Sequence, residues 1–388
     1  MLDIEQYRMS ESLARQDRRI WQQAKAHRLD VFEGAGFPVR VNSIAELDQI
    51  VGSMHSNDRY ALLHDEIAGF DEADLRLFIA VLADFYAFYA TMFPRPAVTL
   101  PLAEMIAHLA IYKMIRAYNP RFRSVLEIGP GNGLLSFFMA RHPGLDDYTQ
   151  IEACESFYLL QSLINTHLFG PKFDERARPQ ALAAQANCYV GSGAVAVGEV
   201  TRQPELNPTL PMQLAPCCHH VPWWRIGDIA EHGRRYDIAT SNANMLECSS
   251  AALDDYIALM REVLADDGIL YVQCFGSRVY RQIDEAILKL YDAGFRALLL
   301  LPDGGALNGG EPGQEKRLAL GNGIFVKPGH PHYDEAAAQP AVNVASDCAA
   351  VHRMCFGDDG AARRPQSEAE ILQAVAAEVQ AREAQMAA

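Results

Sequence analysis

The first 120 residues show helical spacing of apolar positions. Residues 1 to about 30 are rich in Gln, Arg and Ala and read as a helix, and in the following FPVRVNSIAEL segment Ser43 and Glu46 have the spacing of a capping box. Asp71 and Asp74 open LRLFIAVLADFYAFYATMF, a long helix with nearly continuous apolar cover that Pro94 and Pro96 end. LPLAEMIAHLAIYKMIRAY predicts a further helix, closed by Asn119-Pro120. From residue 124 the period changes. Short buried runs at 124–128, 147–151, 236–242, 269–275, 295–301 and 323–327, with one more somewhere in 212–220, predict strands. Helical stretches at 133–141, 155–168, 251–265 and 279–292 separate them. Strands alternating with helices imply an α/β fold: a doubly wound, mainly parallel, seven-stranded Rossmann-like sheet covered on both faces. The last two strands have no helix between them and fit an antiparallel edge hairpin. The stretch 170–215 gives no clear pattern. After a loose tail, Ser367 and Glu370 form a second capping box, opening a helix with Ile371, Val375 and Val379 on one face. The chain therefore divides into a helical region at 1–120, which could lid a site or make a homodimer interface, an α/β domain at 121–330 and a tail at 331–388.

Charge narrows the partners. With 49 acidic against 34 basic residues the formal net charge is -15, which disfavours nucleic acid or an anionic membrane. The acidic start MLDIEQYRMSES is not a secretory signal, and no apolar run reads as long enough to span a bilayer. Eight scattered cysteines read as reduced thiols, and the expected location is the cytoplasm. Cys217, Cys218, His219 and His220 are consecutive and cannot readily converge on one zinc ion, so no metal site is expected.

The strongest local signal is SVLEIGPGNG, residues 124–133. A buried strand runs into Gly129, Gly131 and Gly133, and a helix follows. Such glycines permit a sharp turn and close approach of a ligand to the main chain. The spacing is not the GxGxxG of a dinucleotide site. Glu127, so near the turn, would repel a pyrophosphate and suits a cationic or amine-bearing ligand. Glu152 ends the second strand about twenty residues further on, where a carboxylate can accept both hydroxyls of a ribose.

This stretch resembles the first signature of class I S-adenosylmethionine-dependent methyltransferases. Residues 100–300 as a whole resemble the bacterial sugar O-methyltransferase family, on the glycine turn, on His220-Val-Pro-Trp-Trp224, and on the strand YDIATSN followed by Ala243 and Glu247. The family's His beside Asn242 is replaced by Ala243. The resemblance implies S-adenosylmethionine as cofactor, held by Glu127, Gly129, Gly131, Gly133, Glu152 and Asn242, and a small-molecule acceptor, a sugar or glycosylated natural product. His220, His219 and Glu247 are the candidate bases for an acceptor hydroxyl. Trp223 and Trp224 are candidates for the wall of an aromatic pocket. Competing readings are transfer to nitrogen, carbon or a peptide, and a cofactor-binding scaffold without activity.

Overall fold

The computed structural model describes residues 2–16, 39–53, 59–93, 98–177, 217–242, 244–245, 248–273, 283–301, 322–339, 353–357 and 363–387. Among the described residues five α-helices precede the first strand: α1 (Ile4–Gln16), α2 (Leu47–Ser53), α3 (Tyr60–Glu66), α4 (Glu72–Met92) and α5 (Leu102–Tyr118). Asp71 caps α4 by accepting the amide of Asp74 at 2.7 Å. The box expected at Ser43 does not form. Ser43 precedes a 3-10 turn with no side-chain bond, and Glu46 instead accepts the amide of Asn42 at 2.9 Å.

Helix α4 is long and apolar enough by composition to cross a bilayer, which corrects the expectation that no run reaches that length. Part of its apolar cover is buried within the protein. Phe78, Phe85, Phe88 and Tyr89 are buried in the core, with Phe85 and Phe88 both against Phe137. Tyr86 is half-buried and faces the C-terminal helix. Asp74 pairs with Lys113, and Asp84 with Arg141 and Arg382.

Among the described residues the sheet has eight strands: β1 (Ser124–Ile128), β2 (Asp147–Glu152), β3 (Phe173–Glu175), β4 (Cys218–Pro222), β5 (Tyr236–Asn242), β6 (Leu264–Gln273), β7 (Arg296–Leu301) and β8 (Asn322–Val326). Their order is β3-β4-β2-β1-β5-β6-β8-β7. All neighbours are parallel except β8, which runs antiparallel to both β6 and β7. This is the doubly wound, mainly parallel Rossmann-like sheet expected, with β3 as an extra edge strand. The antiparallel pair forms as anticipated, but β8 inserts between β6 and β7. Between the strands lie α6 (Leu135–Met139), α7 (Glu155–Phe169), α8 (Ile226–Glu231), α9 (Ser250–Val263) and α10 (Ile283–Asp292). From β1 the chain winds one way to β2, and from β5 the other way to β6. Right-handed crossovers therefore put α6 and α9 on opposite faces.

Two boundaries move. Helix α6 is shorter than the predicted 133–141. Helix α9 ends at Val263 and β6 begins at once, so Asp266-Asp267-Gly268 lies inside a strand rather than stopping a helix. The reason is steric. A Cβ on Gly268 would stand 2.9 Å from the carbonyl oxygen of Tyr236, so this glycine serves a close strand contact where the register of β5 and β6 shifts. Beyond the sheet come the short α11 (Tyr333–Ala337) and α12 (Glu368–Ala387). Ser367 and Glu370 make the reciprocal box at the start of α12. Ile371 and Val375 are buried, and Arg382 reaches Asp84 on α4.

Candidate functional site

Strand order reverses between β1 and β5, and in such sheets a crevice for ligands opens at the carboxyl ends of the strands on either side. Four apolar-flanked residues bury β1 up to Ile128, and the chain then turns through Gly129, Gly131 and Gly133, with φ of 66, 56 and 72°. All three lie in the left-handed region that side chains disfavour. The amide of Gly129 donates to Ile151 at 2.8 Å and ties the turn to β2. Asn244 packs on Gly129, while a Cβ on Gly131 would meet nothing within 4 Å among the described residues.

Glu127 points into the sheet face below this turn and is buried. Its carboxylate accepts from the Tyr148 hydroxyl, from Gln150 at 3.2 Å and from Asn242 at 3.2 Å. Burial pushes its carboxyl above the usual range, with those three bonds pulling the other way. It belongs to a polar row in register across the sheet: Glu175, His220, Gln150, Glu127, Thr240 and Tyr271 on β3, β4, β2, β1, β5 and β6. Ser136 of α6 and Asn165 of α7 bond Gln150 from above, at 3.0 and 2.5 Å.

Glu152 ends β2 with one oxygen accepting the amides of Ala153 and Cys154, at 2.7 and 2.9 Å. The other accepts the side-chain amide of Gln161 at 3.0 Å. Burial raises its carboxyl too, against the pull of these donors. The same Gln161 nitrogen donates to the carbonyl of Gly131 at 2.6 Å.

Helix α1 lies over the start of α7. The ring of Tyr7 packs 5.0 Å from Tyr158 and 5.1 Å from Trp224, and its buried hydroxyl has no partner among the described residues. Arg8 grips buried Glu155 through two bonds of 2.9 and 2.7 Å, and Arg40 bonds both Glu155 and Glu11. Burial would raise the Glu155 carboxyl, but the two guanidinium groups outweigh it and hold the pKa low.

Of the residues singled out in the sequence, Glu127, Gly129, Gly131, Gly133, Glu152 and Asn242 are brought together at this end of the sheet. The histidines are not open to it. His219 lies inside the sheet on the opposite face, with Nδ1 3.1 Å from Asp174. His220 is fully buried, stacked 3.7 Å from Tyr158, with Nε2 2.9 Å from Gln161 and Nδ1 3.1 Å from Ser162. Rings so enclosed present no nitrogen to an acceptor, which corrects the expectation of a histidine base. Alternation along β4 turns His219 and His220 to opposite faces of the sheet. Trp223 and Trp224 are 0% and 5% exposed and pack edge-on against each other, so the expected aromatic wall is consumed by packing. Glu247, Ala243 and the loop 302–321 lie outside the described residues, as does most of 170–215.

Gln161, Gln150, Glu155 and Arg8 were not singled out in the sequence. A signal existed: in ESFYLLQSLINTHLF, Gln161, Ser162 and Asn165 form a polar stripe on an otherwise apolar helix that the sheet must cover.

No family model matches the chain, and no curated protein does. Among solved structures, a TehB-like SAM-dependent methyltransferase from Corynebacterium glutamicum is similar at 13% identity and a TM-score of 0.35, covering 63% of this chain and 95% of that one. An O-methyltransferase from Bacillus cereus is similar at 11% identity and a TM-score of 0.34, covering 66% and 92%. The spermidine synthase of Thermotoga maritima is similar at 12% identity and a TM-score of 0.33, covering 67% and 73%. Likenesses this distant leave the reaction to be argued from the side chains.

Proposed function

We propose that the chain binds S-adenosylmethionine at the carboxyl ends of β1, β2 and β5 and transfers its methyl group to a small-molecule acceptor. The observation that carries this reading is the pairing of a left-handed glycine turn with two buried carboxylates, Glu127 and Glu152, on adjacent strands. A site so acidic opposes a pyrophosphate and favours a ligand bearing a sulfonium and an ammonium group. Glu152 suits a ribose diol, because among the described residues one of its oxygens has a single donor, which leaves it a lone pair to offer. The open space at Gly131 lets a ligand lie against the main chain. Asn242, bonded to Glu127, would border the ligand from β5.

When bound, the cofactor supplies an electrophilic methyl group. The chain's part is to hold the reactants in line and exclude water. A hydroxyl acceptor, and a sugar in particular, is the finer proposal, supported by the resemblance around residues 220–247. Glu247 is the group proposed to take its proton. A cofactor-binding scaffold is the second reading, favoured by Ala243 beside Asn242 and by the enclosure of both histidines.

Calorimetric titration of the purified chain with S-adenosylmethionine, and separately with NAD, tests the proposal. Saturable binding of the first, weakened in Glu152→Ala and absent for NAD, supports it. A folded chain that ignores S-adenosylmethionine sinks it. Binding without methyl transfer to any acceptor in a broad hydroxyl screen favours the scaffold.

A further inference from the structure

We propose that Gln161 is a positioning residue that aims Glu152 and fixes the glycine turn, and that His220 and Glu175 in turn aim Gln161. This rests on the cofactor reading above for its consequence, but not for its geometry.

Gln161 is fully buried in the second turn of α7. Its nitrogen contacts the Gly131 carbonyl at 2.6 Å and the Glu152 carboxylate at 3.0 Å. A carbonyl can only accept, so the amide must present its NH2 group on that side, and both its hydrogens are used. The amide oxygen then faces Nε2 of His220 at 2.9 Å. An amide oxygen has no hydrogen to give, so Nε2 must carry one and donate it. The other imidazole nitrogen lies 3.1 Å from the Ser162 hydroxyl oxygen and 3.7 Å from Glu175. Ser162 and Tyr158 both donate to Glu175 at 2.5 Å, and Tyr158 also covers the imidazole face. Glu175, Ser162, His220, Gln161 and Glu152 therefore form one contiguous polar chain from the sheet edge to the proposed ribose site, with the Ser162 hydroxyl between Glu175 and the imidazole.

The consequence is a change of role for His220. With Nε2 already protonated and pointed at Gln161, it acts on the site through another side chain. Gln161 also reaches the third glycine: a Cβ on Gly133 would stand 3.3 Å from its Cγ. One side chain thus touches the turn at two glycines and the carboxylate that ends β2.

Two measurements test this. Nitrogen NMR of the whole chain labelled at histidine, with the His220 signal assigned by its loss in His220→Gln, reads the tautomer without any ligand. Hydrogen on Nε2 is expected, and a bare Nε2 overturns the chain. Calorimetry with S-adenosylmethionine then compares Gln161→Met, Glu152→Ala and the double variant. Gln161→Met is expected to weaken binding about 10- to 100-fold, the loss of hydrogen bonds to a charged group. Having lost a donor to Glu152, it is also expected to regain affinity as pH rises. In the Glu152→Ala background the same change should cost less than in the unaltered protein, because the part of its effect that passes through Glu152 is already gone and only the bond to the glycine turn remains to lose. Full additivity, or unchanged affinity in Gln161→Met, overturns the positioning role. His220→Gln, which restores an N–H donor, should bind better than His220→Leu, and equal binding by the two would count against the chain. If the unaltered protein does not bind S-adenosylmethionine, the cofactor reading fails while the NMR result still decides the tautomer.

Discussion

The side-chain amide of Asn244 lies against the main chain of Gly129, so closely that a methyl group there would stand 1.9 Å from Nδ2. Gly131, two residues on, has open space in the same direction. Both glycines are left-handed, so alanine strains the backbone at each. Gly129→Ala adds a collision and is expected to cost about 2–4 kcal/mol in urea unfolding, against about 1 kcal/mol for Gly131→Ala. Equal losses would show that the Asn244 contact yields freely. Gly131→Ala should still fold yet bind S-adenosylmethionine at least about tenfold more weakly, because its methyl enters the proposed ligand space.

Glu127→Gln is expected to raise stability at neutral pH while weakening cofactor binding. Burial raises the Glu127 carboxyl, so in the native protein its ionisation opposes folding. The stabilising influence of the neutral form is complete below the unfolded carboxylate range and is lost as pH rises through the higher native value. The advantage of the glutamine should accordingly shrink as pH falls. Thermal unfolding followed from pH 7 to 4 checks this, and a constant difference across that span would contradict it.

Acid should release helix α1. The Glu155 pKa is held low by Arg8 and Arg40, so its contribution is present above the unfolded range and lost as pH falls through the native value. Protease cleavage near residues 4–16 is expected to accelerate below about pH 4, where ordinary carboxylates protonate. Glu155→Gln should show fast cleavage already at pH 7. If the variant resists cleavage like the parent, the clamp does not hold the helix.

Ile371→Ala is expected to cost about 2–4 kcal/mol, because its buried side chain fills the junction of α12 and the body. Glu370→Ala should cost less, through the lost capping box alone. Chemical unfolding of the two variants separates packing from capping, and a smaller loss for Ile371 than for Glu370 would reverse that assignment.

The parts of the fold legible in the sequence were those with a strong local period or a forced backbone. SVLEI and YDIATSN are apolar runs closed by turn residues, and GPGNG can follow a strand only as a left-handed turn. Strand β3 escaped because it has three residues, Phe173–Glu175, and its sign is polar. The β6 boundary escaped because Asp266-Asp267-Gly268 has the chemistry of a turn and becomes strand only through contact with β5. Site residues split the same way. Glycines and strand-end acids carry their meaning locally, whereas Gln161 has meaning only once Gly131, Glu152 and His220 surround it. His220 looked like a base for the same reason, since its enclosure by Tyr158 and Ser162 depends on packing that no short motif records.

The doubled histidine of β4 has a consequence for how the sheet finds its alignment. A slip of one residue turns a strand over, and here it would still offer a histidine to each face. The identity of the side chain is thus a poor guide to correct pairing at this point. The neighbouring edge strand removes the ambiguity, since Asp174 pairs with His219 and Glu175 with His220. Only in the native alignment does Glu175 meet the imidazole beneath α7 while Asp174 meets the one on the far side. Three residues at the rim therefore act as a proofreading key for the strand beside them, and a chain with Asp174 and Glu175 neutralised should refold more slowly and to a mixture of pairings.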